Sequence, residues 1–297
     1  MKIEKTSWNG ANAVRFESGG TEMIIVTDYG PRISFFGSVG GRNMLFWDNQ
    51  DRGRNDWKLR GGHRVWIMTN GADETELTYR ADNDPCTVEE DENSATIWSK
   101  LDPVNFTRRG IRVAPTPGGN FEVTSLVIND GEMLLSCGIW TLTCTLPGKE
   151  TEYAFPLGDK SGWDTFKSVQ FRKWGPCDGS FGDTQFQVNT DTFVVKPAGR
   201  QAKQMLCIPS GIGCMIDRES GLTFVKAVDY DENANYPDGC NWAIYIGPDN
   251  YMVEFESMGP YSTLKPGTQK GHTEIWALES RIVKSSNQDE LKGLRPD

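Results

Sequence analysis

An all-β chain, folded as one large antiparallel β-sandwich, is what three features of the sequence predict. Helical periodicity is almost absent along its length. Aromatic residues are plentiful (Trp 10, Phe 14, Tyr 8) beside Gly 32 and Pro 15, a composition that suits many short strands joined by turns. β-prone runs also recur between turn signals through most of the chain. Its 297 residues suffice for a large core, and sandwiches of this length often form one domain. No Pro/Gly/Ser-rich linker, compositional change or repeat argues for a cut. Residues 1–280 are therefore expected as one domain, and residues 281–297 as a polar tail that frays or forms a short helix.

Taken in order, strands are expected at Ala13–Glu17 and Thr21–Thr27, then a turn at Asp28-Tyr29-Gly30-Pro31, then strands at Arg32–Gly37 and Met44–Trp47. A polar loop, DNQDRGRND, leads to Leu59-Arg60-Gly61-Gly62-His63-Arg64-Val65-Trp66. That motif gathers two arginines, one of the two histidines and a tryptophan around a glycine pair that lets backbone approach closely. A sugar or sugar acid would want such a set: an aromatic face for the ring, and a guanidinium to fork onto a carboxylate or phosphate. The plainer reading is a Gly-Gly turn before a strand, with arginines pairing to an acidic surface.

Downstream, Leu77–Arg80, Ala95–Lys100, Phe106–Val113, Phe121–Ile128 and Leu134–Thr145 continue the pattern, with a tight turn at Asn129-Asp130-Gly131. Trp140 is expected in the core. The stretch GKETEYAFPLGDKSGWD reads as a long loop. Strands are then expected at Gln185–Val188, Thr192–Val195, Gln204–Ile208, Ile212–Asp217 and Leu222–Tyr230, and a last one at His272–Leu278, where His272 reads as an ordinary strand residue.

Between these lies the most informative stretch, Tyr236 to Gly267, which reads as a hairpin. Trp242–Ile246 and Tyr251–Glu256 are its strands and GPDN its turn. If Ile246 pairs with Tyr251, Ala243 falls opposite Glu254 and Asn241 opposite Glu256, all on one face. The two glutamates, about 7 Å apart on one strand face, would repel, and in a partly dry groove each would bind its proton more tightly. That suits a general base; solvent-facing carboxylates are the plainer alternative.

Composition excludes other classes. A net charge of −10 and a pI near 4.9 oppose nucleic-acid binding, which needs a basic surface. No apolar run approaches the roughly 18 residues of a membrane span, and MKIEKTSWNG lacks a signal-peptide core, so a cytoplasmic location is expected. Seven cysteines, at 86, 137, 144, 177, 207, 214 and 240, include no CxxC pair. Neither a disulfide framework nor a metal cluster is expected, and no cofactor; Cys137, Cys144, Cys207 and Cys214 read as buried thiols, and Cys240 as a groove residue. At most an oxygen-ligated cation at Asp238 and the glutamates is foreseen, and no zinc.

The antiparallel plan, the Asn129-Asp130-Gly131 turn, and an acidic strand followed by Leu264-Lys265-Pro266-Gly267 and a strand holding Trp276 together resemble the galactose mutarotase-like superfamily. Arg60–Gly62 is similar to a motif of its hexose-6-phosphate branch. The combination of GGHRVWI, GIWTLT, YPDGCN and VEFESMGP resembles a mutarotase-like family of the DUF4380 type. The resemblance spans nearly the whole chain and implies a large β-sandwich (supersandwich) that binds carbohydrate. It also implies a base on a late strand, at Glu256 or Glu254, and a mid-chain histidine as acid. Residues 100–200 contain no histidine, so His63, or Asp238 if its proton is held tightly, is the candidate in its place. Arg60, Arg64, Trp66, Asp238 and Asn241 are the candidates for positioning the sugar. Three readings follow: an epimerase-like enzyme, with a lyase acting on an acidic sugar as a variant; a non-catalytic carbohydrate-binding module; and a β-sandwich with no small ligand.

Overall fold

A computed structural model describes residues 1–54, 57–69, 81–158, 163, 165–170, 173, 174, 177, 178 and 182–297. Two large antiparallel sheets dominate it, of 11 and 10 strands among the described residues. The first runs Lys2–Trp8, Ala11–Ser18, Thr21–Val26, Arg32–Ser38, His63–Met68, Leu135–Thr145, Val253–Met258, Trp242–Ile246, Ala202–Leu206 and Ser168–Gln170 from edge to edge, with Ser262–Leu264 added to the end of Leu135–Thr145. The second is built around Ile212–Asp217, Leu222–Val228, Gln269–Glu279 and Phe121–Asn129. The predicted fold class is therefore observed.

Alternation explains which faces meet. Val14 and Phe16 of one strand, Ile33 of another and Val65 of a third point the same way, and they join Phe121, Phe224, Phe255 and Trp276 in one buried cluster between the sheets. Aromatic rings interlock there, with Phe36 4.8 Å from Phe224 and Trp242 5.3 Å from Phe255. Each large apolar side chain so buried contributes roughly 1.5–3 kcal/mol. In the Leu135–Thr145 strand, however, every residue from Cys137 to Thr145 is buried. Both faces of the sheet centre are thus covered, and the second cover is where the candidate site lies.

Several elements differ from expectation. Lys2–Trp8 is an additional edge strand, paired along its length with Ala11–Glu17. Met44–Trp47 makes only isolated bridges, Leu45 to Thr145 and Trp47 to Gly61. The stretch read as a long loop contains the strand Thr151–Pro156, whose alternation is masked because four of its six residues are buried apolar or aromatic groups or proline. Leu77–Arg80 lies outside the described residues. The C-terminal tail takes the second of its two expected forms, a short helix, Gln288–Lys292, capped by the Asn287 side chain. Val283, Leu291 and Leu294 bury themselves against Ile212, Cys214 and Ile216, and Arg295 donates to the Ser210 and Val228 carbonyls.

The Gly61-Gly62 pair does what its sequence suggested. Both residues have positive φ, and a Cβ at Gly62 would stand 2.1 Å from the Ile33 carbonyl oxygen. Close backbone packing here sets the entry of the His63–Met68 strand. Gly62→Ala is expected to lower stability by roughly 3 kcal/mol, since left-handed strain and a backbone clash add. Urea unfolding of the variant checks this, and a loss below about 0.5 kcal/mol, the range of an ordinary surface change, would contradict it.

Candidate functional site

The site sits on the face of the first sheet turned away from the core. Arg64, Leu142, Glu256, Ala243 and Met205 form one row across five strands, and Cys144, Glu254, Tyr245 and Lys203 form the next. Diagonal pairs then link the rows. Arg64 donates to Glu254 at 2.9 Å, and Lys203 donates to both oxygens of Glu256 at 3.0 and 3.2 Å. Trp140 Nε1 adds a third hydrogen bond to Glu256 at 2.6 Å. Charge-assisted bonds of this kind are what make such buried carboxylates tolerable.

Aromatic rings wall this quartet. The Arg64 guanidinium lies 4.4 Å from the Trp66 ring and 5.6 Å from Trp57, and the Lys203 ammonium 4.6 Å from Trp140. Trp66 meets Trp140 edge to face at 5.5 Å and donates its own N–H to Asp82 at 2.9 Å. Cys240, Met205, Ala243 and Met258 pack beneath them. Glu256 and Arg64 are closed off from solvent, whereas Glu254 and Lys203 keep 5% and 6% exposure.

Burial pushes the Glu256 carboxyl up to about 7, with the Glu254 charge adding to the rise and Lys203 opposing it. A group that exchanges its proton near neutrality, inside an aromatic-walled site, is equipped for acid–base chemistry.

The structure separates residues that the sequence had grouped. His63 does not join the glutamates. Neighbouring residues of a strand face opposite ways, so with Arg64 and Trp66 on the outer face His63 points into the sandwich. It is fully buried there, with Nδ1 2.8 Å from Thr143 Oγ1 and its ring 5.0 Å from Trp276. Burial, reinforced by the Lys226 and Arg64 charges against the pull of Glu274, holds its pKa down to about 3, and the role of acid beside Glu256 is withdrawn.

Asn241 is corrected too. The hairpin pairs Ile246 with Val253, Tyr245 with Glu254 and Ala243 with Glu256, two residues from the expected register, because Gly247 N–H closes onto the Met252 carbonyl around a 3₁₀ turn at Pro248–Asn250. Asn241 therefore lies beside Met258, and its amide is used at both ends on the Ile208 backbone, at 2.8 and 2.9 Å. It extends strand pairing and does not orient Glu256. Arg60 stacks on Tyr29 at 3.6 Å and not on either glutamate. Asp238 is exposed, on a turn with φ +49.

Comparison with solved structures places this architecture. A galactose mutarotase-like protein from Clostridium acetobutylicum superposes over 94% of this chain and 98% of its own, with a TM-score of 0.65 at 12% identity. The chain has the galactose mutarotase-like fold. A galactose mutarotase related enzyme from Lactobacillus acidophilus covers 92% of this chain and 99% of its own at TM-score 0.58 and 11% identity. A TPR-domain containing protein from Parabacteroides distasonis matches 93% of it with 48% of its own length, at TM-score 0.62 and 13% identity. No protein-family model and no curated protein matches the sequence, so the narrower DUF4380-type resemblance rests on the quoted motifs alone.

One member of the quartet, Lys203, and one of its neighbours, Trp140, are not among the site residues the sequence suggests. Trp140 was assigned to the core, yet its N–H reaches Glu256. Lys203 carried one usable signal: it alternates with Met205 in a strand whose every residue is buried, where a lysine needs a partner. Among the described residues no three His, Cys, Asp or Glu side chains gather as a metal would require. Cys137, Cys144, Cys214 and Cys240 are buried thiols, while Cys207 is only half-buried.

Proposed function

We propose that the outer face of the first sheet binds a carbohydrate and exchanges its anomers, with Glu256 as base and Lys203 as acid. Opening a pyranose requires loss of the anomeric hydroxyl proton, cleavage of the bond from C1 to the ring oxygen, and protonation of that oxygen; re-closure on the other face of C1 inverts it. Glu256 near neutrality can take the first proton, and Lys203, bonded to it, can supply the second. Arg64 and Glu254 would hold hydroxyls, and Trp57, Trp66 and Trp140 would cover the apolar side of the ring. The observation that carries the reading is the buried Lys203–Glu256 pair, its carboxyl raised to about 7, on a fold shared with proteins described as galactose mutarotase-like.

The complete pairing of both glutamates also favours a second reading, a binding module in which the same groups only recognise the sugar. Exchange NMR on neutral aldoses, sugar phosphates and uronates distinguishes them. At least one of these sugars is expected to interconvert its anomers faster with protein than in buffer. Binding without faster exchange supports the module, and absence of binding to every class rejects both.

A further inference from the structure

Behind Glu256, on the core side of the same strand, the sheet is interrupted. Pairing between Leu135–Thr145 and Val253–Met258 runs through Trp140–Met258 and Thr141–Ser257, then resumes at Cys144–Glu254 and Thr145–Val253. The two residues between, Leu142 and Thr143, stand across from Glu256 and Phe255 without joining the ladder.

Threonine hydroxyls show what fills the interruption. Thr141, Thr143 and Thr145 all point to the core side. Thr141 Oγ1 donates to the Ser257 carbonyl at 3.0 Å and Thr145 Oγ1 to the Val253 carbonyl at 2.8 Å. The regular third bond, from Thr143 to Phe255, is replaced. Lys226 Nζ, reaching from the second sheet, donates to Thr143 Oγ1 at 2.8 Å and to the Phe255 carbonyl at 2.9 Å. Its charge is balanced by Glu274 at 2.8 Å, and both side chains are fully buried. Glu274 in turn accepts from the Ser257 hydroxyl and from Trp276 Nε1, with Thr141 Oγ1 2.9 Å away. A buried ion pair is costly unless its hydrogen bonds are complete, and here it is spent on one carbonyl, the one that immediately precedes Glu256.

We propose that Lys226 is a positioning residue for Glu256: by occupying the gap in the ladder it holds the Phe255–Glu256 peptide at the setting from which the Glu256 carboxylate reaches Lys203 and Trp140. This rests on Glu256 being the group that matters on the outer face, but it is testable without a substrate. Without the ammonium, Thr143, then held only by His63 Nδ1, would turn to the Phe255 carbonyl as its two neighbours take theirs, the strands would close, and Glu256 would be re-aimed. Loss of the Lys203 and Trp140 bonds, both of which favour the carboxylate, would then raise its titration midpoint. The charged and titratable groups facing Glu256 are Lys203, Glu254, Arg64 and Cys144 on the outer face; those facing Lys226 are Glu274, His272 and His63 within the core, and it also feels the Glu256 charge through the sheet, which is why the double variant below removes the Glu274 charge with it.

The test is the ¹³C titration of the Glu256 carboxyl in the full chain, assigned with Glu256→Gln, in wild type, in the charge-neutral double variant Lys226→Met with Glu274→Gln, and in Thr143→Val. The double variant is expected to move the midpoint up by about one unit, and Thr143→Val, which removes one of the ammonium's partners and keeps the ion pair, to move it less in the same direction. A folded double variant with an unmoved midpoint overturns the proposal; if that variant does not fold, an unmoved midpoint in Thr143→Val does so. A wild-type midpoint in the ordinary carboxylate range would instead count against the base assignment, whatever the variants show.

Discussion

Glu256→Gln is expected to lower anomer exchange by about 10²–10⁴-fold, the usual contribution of a positioned general base. The substitution keeps the shape of the side chain and leaves an amide oxygen for Trp140 Nε1 and Lys203, so sugar affinity is expected to change far less than turnover. In wild type, turnover should rise with pH through the neutral range, since the base form of a carboxyl held near 7 is populated only above it. Glu254→Gln is the comparison that gives the result meaning. It strands the Arg64 charge in a buried position, an error that typically costs about 3–5 kcal/mol of stability, and its signature is a lowered unfolding temperature. If Glu256→Gln retains wild-type exchange while folded, the base assignment falls.

Much of this site was legible in the sequence, and the failures have specific physical causes. The hairpin register slipped by two residues because the turn is longer than GPDN alone. A slip of two preserves which face a side chain occupies, so Glu254 and Glu256 were placed on the right face with the wrong neighbours. The His63 error differs in kind. Density of polar residues in RGGHRVW was read as one cluster, but a strand sends adjacent residues to opposite faces, so His63 and Arg64 could never share one. Strand period outranks motif density wherever a motif is extended. Lys203 escaped for the opposite reason: a lone lysine in a strand is ordinarily solvated, and only the burial of its neighbours, a tertiary fact, shows that it must be paired. Glu274 and Lys226 sit 48 residues apart by number, on strands that pair, and no local pattern announces that both point inward.

That interior network gives the protein an acid-sensitive core. His63 and His272 are held at about 3 and about 4 by burial, below their ordinary 6.5. For Glu274, burial alone would raise the pKa, but Lys226 and the two histidines outweigh it and hold the group at about 2, below its ordinary 4.5. Each of these groups binds its proton more readily in the unfolded chain, so each contribution to stability is present above the ordinary value and is lost as pH falls towards the folded one. Glu256 has the reverse sign: raised from 4.5 to about 7, it binds more tightly in the folded chain and offsets one proton between those values. Between pH 6.5 and 4.5 the unfolded state thus holds two protons that the folded state lacks, against one that only the folded state holds, and stability should fall with a net slope of about one proton. Below 4.5 the Glu256 offset ends, and Glu274 and other paired carboxylates such as Glu152 and Asp183, all held below their ordinary values, join the histidines, so the fall should steepen further. Urea unfolding at pH 7.5, 6, 5 and 4 measures the curve. Glu256→Gln, by removing the opposing group, should double the slope between 6.5 and 4.5, a steepening that no loss of packing alone would produce. A denaturation midpoint that stays level from pH 6.5 to 4.5 in both proteins would show that the histidines titrate normally and that the core is not built as these contacts imply.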